Sequence, residues 1–325
     1  MFIGSLSSIA RPNRIALEFI LKEILLAWID SSRYASSAAD ERRIDWLRIL
    51  PFIGLHLACL AVFWVGVSPI AVAALVFSYL LRMFAITAFY HRYFAHRAFK
   101  TSRPMQFLFA LVGAASTQRG PLWWAAHHRE HHRHADQPED PHTPHHGFFW
   151  SHMGWFLSRQ HFSTDEKRIQ DLVKYPELRW LDRFALAVPV AYAVVWFALG
   201  AVLERTAPGL GTSAWQMLIW GYFLSTVVLI HATLTINSLA HVWGKRRYAT
   251  KDDSRNNFWL ALLTLGEGWH NNHHHFPGSA RQGFYWWEID LSFYVLKVMS
   301  WLGLVWDLKP VPEPIREARR IHSGA

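Results

Sequence analysis

Residues 127–136, HHREHHRHAD, place five histidines in ten positions. The inner HREHH of this run gives His128, His131 and His132, and three other segments echo it: HRYFAH (His91, His96), NSLAH (Asn237, His241) and HNNHH (His270, His273, His274). Residues three or four apart on a helix share a face. His128 can therefore act with His131 and His132, His270 with His273 and His274, and Asn237 with His241. The four segments together offer nine imidazoles. That number suits two metal ions, because one ion rarely takes more than four or five such ligands. Imidazole accommodates Fe, Zn, Cu or Ni, so ligand type alone does not choose the metal. The single cysteine, Cys59, lies in an apolar run. Disulfides and thiolate-based zinc or iron–sulfur sites are excluded, and any metal falls to His, Asn or carboxylates.

Spacing alone is weak evidence, since His142, His145 and His146 (HTPHH) show the same pattern. Pro144 interrupts any helix there, and that box reads as a decoy. His56 and His231 lie in apolar segments and are expected to be packed or hydrogen-bonded. His127, His134, His152, His161 and His275 are expected either to support the ligands or to be solvated. Metal-bound imidazoles usually hand their second nitrogen to a carboxylate, and Glu130, Asp136 and Glu267 are the candidates.

The rest of the chain must hold these residues in place. It has 325 residues, 52% apolar, with 18 Trp, a residue that favours membrane interfaces. Four apolar segments, 49–67, 69–89, 184–203 and 215–236, are long enough to span a bilayer, which takes about 20 residues. A Ser68-Pro69 turn joins the first two as a hairpin. Shorter apolar stretches at 105–115 and 291–306 read as interfacial or cap helices. Seven Lys/Arg precede the first span, thirteen lie between Tyr90 and Arg183, and eleven follow Ile236. The turn between spans one and two has none, and the 204–214 loop has only Arg205. By the positive-inside rule both termini and all four histidine segments are cytoplasmic. The formal charge of +9 then follows from topology and anionic lipid, without nucleic acid. Residues 15–29 pattern as a helix lying on the membrane surface or packed on the cytosolic part. No cleavable signal peptide, internal repeat or low-complexity tract is expected.

ITAFYHRYFAHRAFK, WWAAHHREHH, EDPHTPHHGFFWSHMGW, TLTINSLAHVWG, GEGWHNNHHHFP and WLGLVWD occur in order between Ile86 and Lys309. In these stretches the chain resembles the membrane-bound acyl-CoA (stearoyl-CoA type) delta-9 desaturases. The resemblance implies an all-α integral membrane protein, with four transmembrane helices under a cytosolic helical cap that holds a di-iron site. It makes His91, His96, His128, His131, His132, His241, His270, His273 and His274 the iron ligands, with Asn237 joining through a water. It places Gln118, Trp124 and Thr233 where the acyl tunnel bends, Trp155 and Arg159 near its mouth, and Tyr79 and Met83 at its blind end. The family's animal members carry charged residues just before the second box. Ala126 and His127 stand there instead, which bears on the contacts to a CoA head group.

The expected activity is oxygen-dependent insertion of a cis double bond, at the delta-9 position, into a saturated acyl chain carried by CoA. The alternatives within enzymes are a desaturase of phospholipid-bound chains and a related di-iron alkyl hydroxylase. A metal transporter would place its ligands near the bilayer midplane, whereas these lie beyond the span ends. No haem-binding cytochrome domain is expected at either end, so a ferredoxin or flavin reductase would supply electrons. The organisation expected is a cytoplasmic segment with an interfacial helix (1–48), a desaturase domain (49–310) and a tail (311–325), in a bacterial inner membrane.

Overall fold

A computed structural model describes residues 14–33 and 42–321. The fold is mostly helical. α1 (Arg14–Ile29) is the helix expected near the N-terminus. α2 (Leu50–Val65) is apolar but interrupted by a tighter 3₁₀ turn at Cys59–Ala61. It ends at Gly66, whose φ of 68° suits glycine and turns the chain back. Ser68 then caps α3 (Pro69–Ala95): its hydroxyl accepts the Ala71 N–H, and Pro69 fills the first turn. α4 (Arg103–Ala114) and α5 (Pro121–His134) follow. Two further apolar helices, α6 (Ala187–Thr206) and α7 (Ala214–His241), complete the bundle. The short α8 (His270–His275) and α9 (Leu291–Trp301) lie beyond it.

Among the described residues three helices, α3, α6 and α7, are long and apolar enough to cross a membrane. The expected first span corresponds to α2, a shorter apolar helix. Its 16 residues cover about 24 Å, short of the ~30 Å hydrocarbon core. α7 packs against α2, α3 and α6. Large apolar side chains such as Phe63 and Trp64 (88% and 78% exposed) cover the outer surface. The one sheet among the described residues is a two-residue antiparallel pair, Lys100–Thr101 with Val305–Trp306. The main core lies where α3, α4 and α5 meet, around Tyr90, Phe94 and the stacked rings of Phe89 and Phe109, 3.8 Å apart.

The bundle also buries a cation. Arg82 of α3 donates to the Ser78 and Ala115 carbonyls and to the hydroxyls of Ser225 and Thr226 on α7. Four of its five guanidinium N–H groups thus meet neutral oxygens from three segments. The lock brings the C-terminal ends of α3 and α7 to the same end of the bundle.

Candidate metal centre

His91 and His96 are five residues apart, a spacing that an α-helix does not put on one face. The last turns of α3, Ala85–Ala95, are wound as a π-helix, and the His96 N–H donates to the His91 carbonyl. A π-helix closes hydrogen bonds between residues five apart, and the two rings sit 4.9 Å apart. The boxes on α5 and α8 use ordinary helical spacing. His241 comes from a 3₁₀ turn, Leu239–His241, that ends α7.

All nine imidazoles converge, and they sort into two sets. In each, one ring nitrogen per residue lies within 4.8 Å of all the others. His91, His96, His128, His132 and His273 form the first set, and His131, His241, His270 and His274 the second. On α5 the i, i+4 pair His128/His132 serves the first set and His131 the second. On α8 the assignment is reversed: His270/His274 serve the second and His273 the first. Each HxxHH box therefore contributes to both sets, which explains why three histidines recur at that spacing.

The contacts are between Nε2 atoms: 2.9 Å for His91–His273 and for His132–His273, 2.8 Å for His96–His128, 3.2 Å for His131–His274 and 3.1 Å for His241–His270. Carboxylates hold the other side. His131 Nδ1 donates to Asp140 (2.9 Å), His241 Nδ1 to Asp136 (3.0 Å) and His274 Nδ1 to Asp252 (3.1 Å), and His91 Nδ1 meets Glu267. With its proton on Nδ1, a neutral imidazole presents a lone pair at Nε2. When both rings are neutral, His131 and His274 point two lone pairs at each other across 3.2 Å. Against the effect of burial, Asp140 raises His131 above the ordinary imidazole range, so the pair is one that shares a cation, a proton or a metal ion. Burial, reinforced by neighbouring imidazoles, holds His96, His128, His132, His270 and His273 well below the ordinary imidazole range, in the form that binds metal. Burial opposes ionisation of the carboxylates. Even so, the histidines they face keep Asp136, Asp140, Asp252 and Glu267 below the usual carboxylate range. The donor set fits two divalent transition-metal ions.

Asp136 and Glu267 therefore stand where the sequence puts them. Glu130 does not: it pairs with Arg168 and lies 3.8 Å from His134, away from every ligand. Adjacent helical residues point about 100° apart, so a carboxylate next to His131 in sequence faces another way. Asp140, Asp252 and Gln282, whose amide donates at 3.1 Å to the Glu267 carboxylate that faces His91, escaped the sequence reading. The HTPHH box is divided. His145 faces Asp253 and His146 faces Arg42, near the surface. His142 is buried with its ring 4.2 Å from that of His131.

A cavity of about 290 Å³ adjoins the centre. His128, a member of the first set, is in its wall, and so are Asn237, Gln118, Trp124, Thr233 and Trp155. Gln118 donates to the Thr233 hydroxyl at 3.0 Å, and Trp124 stacks on His128. α2 (Phe52, Leu55), the start of α6 (Leu186, Pro189) and α7 (Tyr222, Ile230) form the apolar walls, with Arg48, Arg119 and Arg183 beside Trp28 and Ser31 at the end of α1. Gly120 must be glycine, because a Cβ there would meet the Asp182 backbone at 2.4 Å. Arg159 is not in the wall; it pairs with Asp45, which also binds Arg48. Met83 and Tyr79 are not in the wall either. Met83 packs with Leu229, Ala232 and Leu265, and the Tyr79 hydroxyl donates to the Leu263 carbonyl.

Comparison with known proteins agrees with this arrangement. The fatty acid desaturase family model matches residues 67–297. An sn-1 stearoyl-lipid 9-desaturase of Anabaena variabilis is 34% identical over 84% of this chain and 97% of its own. An sn-2 palmitoyl-lipid 9-desaturase of Nostoc sp. is 34% identical over 83% of this chain and 92% of its own. An acyl-CoA 5-desaturase of Anemone leveillei is 33% identical over 86% of each. The chain belongs to the fatty acid desaturase family and is an oxidoreductase.

Proposed function

We propose that the protein uses O2 and two electrons from a separate donor to place a cis double bond, at the delta-9 position, in a saturated acyl chain. The observation that carries this reading is His128, which belongs to a converging imidazole set and also lines the apolar cavity. The overall change balances as –CH2–CH2– + O2 + 2 electrons + 2 protons giving –CH=CH– and two waters. Two iron ions, when bound by the nine histidines, would supply the oxidising power that an unactivated C–H bond demands. The protein's own task is placement. Trp123 and Trp155, stacked 5.6 Å apart, wall the cavity with Trp124 and exclude water. Trp124 fixes the His128 ring, and the Gln118–Thr233 hydrogen bond draws opposite walls together, which favours a bent chain.

For the carrier, a membrane lipid is the reading best supported. α2 and α6 flank the cavity, so a chain can slide in sideways while Arg48, Arg119 and Arg183 receive a polar head group. The relatives from Anabaena and Nostoc carry names with lipid-bound substrates. Acyl-CoA, the second reading, is favoured by the Anemone relative's name and the same arginines. The apolar helices suit a multi-pass protein, here with α2 as a fourth span and the metal centre on the cytoplasmic side. Expression in a host that makes no unsaturated lipid tests the activity, with double bonds located by mass spectrometry. Supplying labelled stearoyl-CoA or labelled phospholipid to membranes separates the carriers. Saturated lipid in every arm, from protein that retains its iron, refutes the reading.

A further inference from the structure

A second recess, of about 200 Å³, shares no residue with the acyl cavity. It is a polar cleft, and both His132 of the first imidazole set and His274 of the second form part of its wall. His275, also in the wall, stacks on Tyr248 with rings 3.9 Å apart, and its Nε2 donates to the Ile315 carbonyl. That packing makes a firm floor. Three cations stand around it, Arg133, Lys251 and Arg319. All three are exposed, and among the described residues none has a carboxylate partner. The one acid in the wall, Asp252, is buried and committed to His274, Thr250 and the Ser254 N–H. The cleft therefore presents uncompensated positive charge directly above one ligand from each set.

We propose that this cleft is the docking site of a small acidic one-electron carrier protein, seated so that its redox group faces His132 and His274. The proposal rests on the reading of the protein as a desaturase, because that reaction needs two electrons from outside. The acyl cavity cannot admit a carrier while a chain fills it and its arginines, Arg48, Arg119 and Arg183, face the substrate's head group. The cleft is too small to take a protein domain. The carrier covers it, with carboxylates meeting Arg133, Lys251 and Arg319. Two successive encounters deliver one electron each, and each encounter oxidises the carrier by one electron. Electrons arriving here meet an imidazole of either set without crossing the acyl cavity. Charge of one sign around a cleft steers an oppositely charged partner and makes association sensitive to salt.

The test is binding, read independently of turnover. The purified full-length protein is titrated with an acidic plant-type [2Fe–2S] ferredoxin and, separately, with the soluble domain of a cytochrome b5. Saturable binding of at least one is expected at low ionic strength, weakening about tenfold or more as salt rises through the range where the Debye length falls to about 8 Å. Lys251→Glu and Arg319→Glu should each weaken it by about tenfold, and the milder Lys251→Gln by less. Arg183→Glu, the same charge change at the acyl cavity, should leave carrier affinity unchanged. Zero-length carbodiimide coupling should join Lys251 to a carrier carboxylate. Carrier affinity equal to wild type in both reversed variants overturns the proposal, as does the absence of saturable binding by either carrier. Iron content, measured on the same samples, separates this outcome from failure of the desaturase reading, which would appear as protein that takes up no iron.

Discussion

Replacing Asp140 with asparagine removes one negative charge while keeping the side chain's shape. Asp140 Oδ2 receives His131 Nδ1–H at 2.9 Å and the Asp136 N–H at 2.9 Å, and Oδ1 receives the His142 N–H at 3.1 Å. An asparagine has one acceptor oxygen, so in either orientation its amide group meets an N–H head on. The ring of His131 is then less firmly held and its Nε2 less basic. Losing such an outer carboxylate typically lowers metal affinity 10- to 100-fold, about 1.4–2.7 kcal/mol. Of the two imidazole sets His131 serves the second, and it also groups with Asp140 and His142, whereas the first set has its own anchor in Glu267 behind His91. Asp140→Asn is therefore expected to release one ion at chelator concentrations that leave the other in place. Asp252→Asn, acting through His274, should do the same. Glu130→Gln, changing a carboxylate that touches no ligand, should keep both. The assay is iron per chain after equilibration against a graded chelator series. Simultaneous loss of both ions, or Glu130→Gln behaving like Asp140→Asn, would refute the assignment of separate sets.

Three further outcomes are expected. Burial lifts the Asp182 carboxyl to about 6 despite the hydrogen bonds from the Trp123 N–H and the Thr164 hydroxyl. Its ordinary value is 3.8, so the folded chain keeps this proton where the unfolded chain loses it. The stabilisation is complete below about pH 4 and is lost as pH rises through 6, a change of about 3 kcal/mol. Asp182→Asn should flatten that slope in melting temperatures measured in detergent from pH 4 to 8, and an unchanged slope would show that Asp182 is not its source. Met83 lies outside the cavity wall, whereas Tyr222 is part of it. Met83→Ala should therefore leave the palmitoyl-to-stearoyl ratio unchanged in a direct competition while Tyr222→Ala moves it toward the longer chain, each methylene accommodated being worth about 0.8 kcal/mol. A shift with Met83→Ala and none with Tyr222→Ala would put the chain end at Met83 instead. Purified protein given NADPH and substrate alone should be inert, and sustained turnover would remove the need for a carrier.

How much of this is legible in the sequence depends on how local each feature is. That the histidines of HREHH and of HNNHH lie together is legible, because an α-helix converts spacing into a shared face. Their division between two sets does not read, because it depends on how α5 and α8 face one another. His91 and His96 share a face through a π-helix that their spacing alone does not announce. Asp140 and Asp252 pair with histidines 9 and 22 residues away, across turns that carry no periodic signal. Glu130 misled by adjacency. The apolar run at 49–67 announced a span, but Cys59–Ala61 and Gly66 shorten its helix to Leu50–Val65. The cavity beside the imidazoles is assembled from seven separate stretches of chain, and no single stretch foretells its shape.

The central claim is that nine histidines, and not the chain's other imidazoles, hold the metal. Iron content of purified wild type, His241→Ala and the double variant His145→Ala/His146→Ala tests it most directly. His241 is 2% exposed, with its Nε2 3.1 Å from that of His270, whereas His145 and His146 lie outside both sets. Wild type and the double variant are expected to carry the same iron, and His241→Ala to lose the ion of its set together with all desaturation. Equal iron in wild type and His241→Ala, or loss of iron in the double variant, would contradict the account.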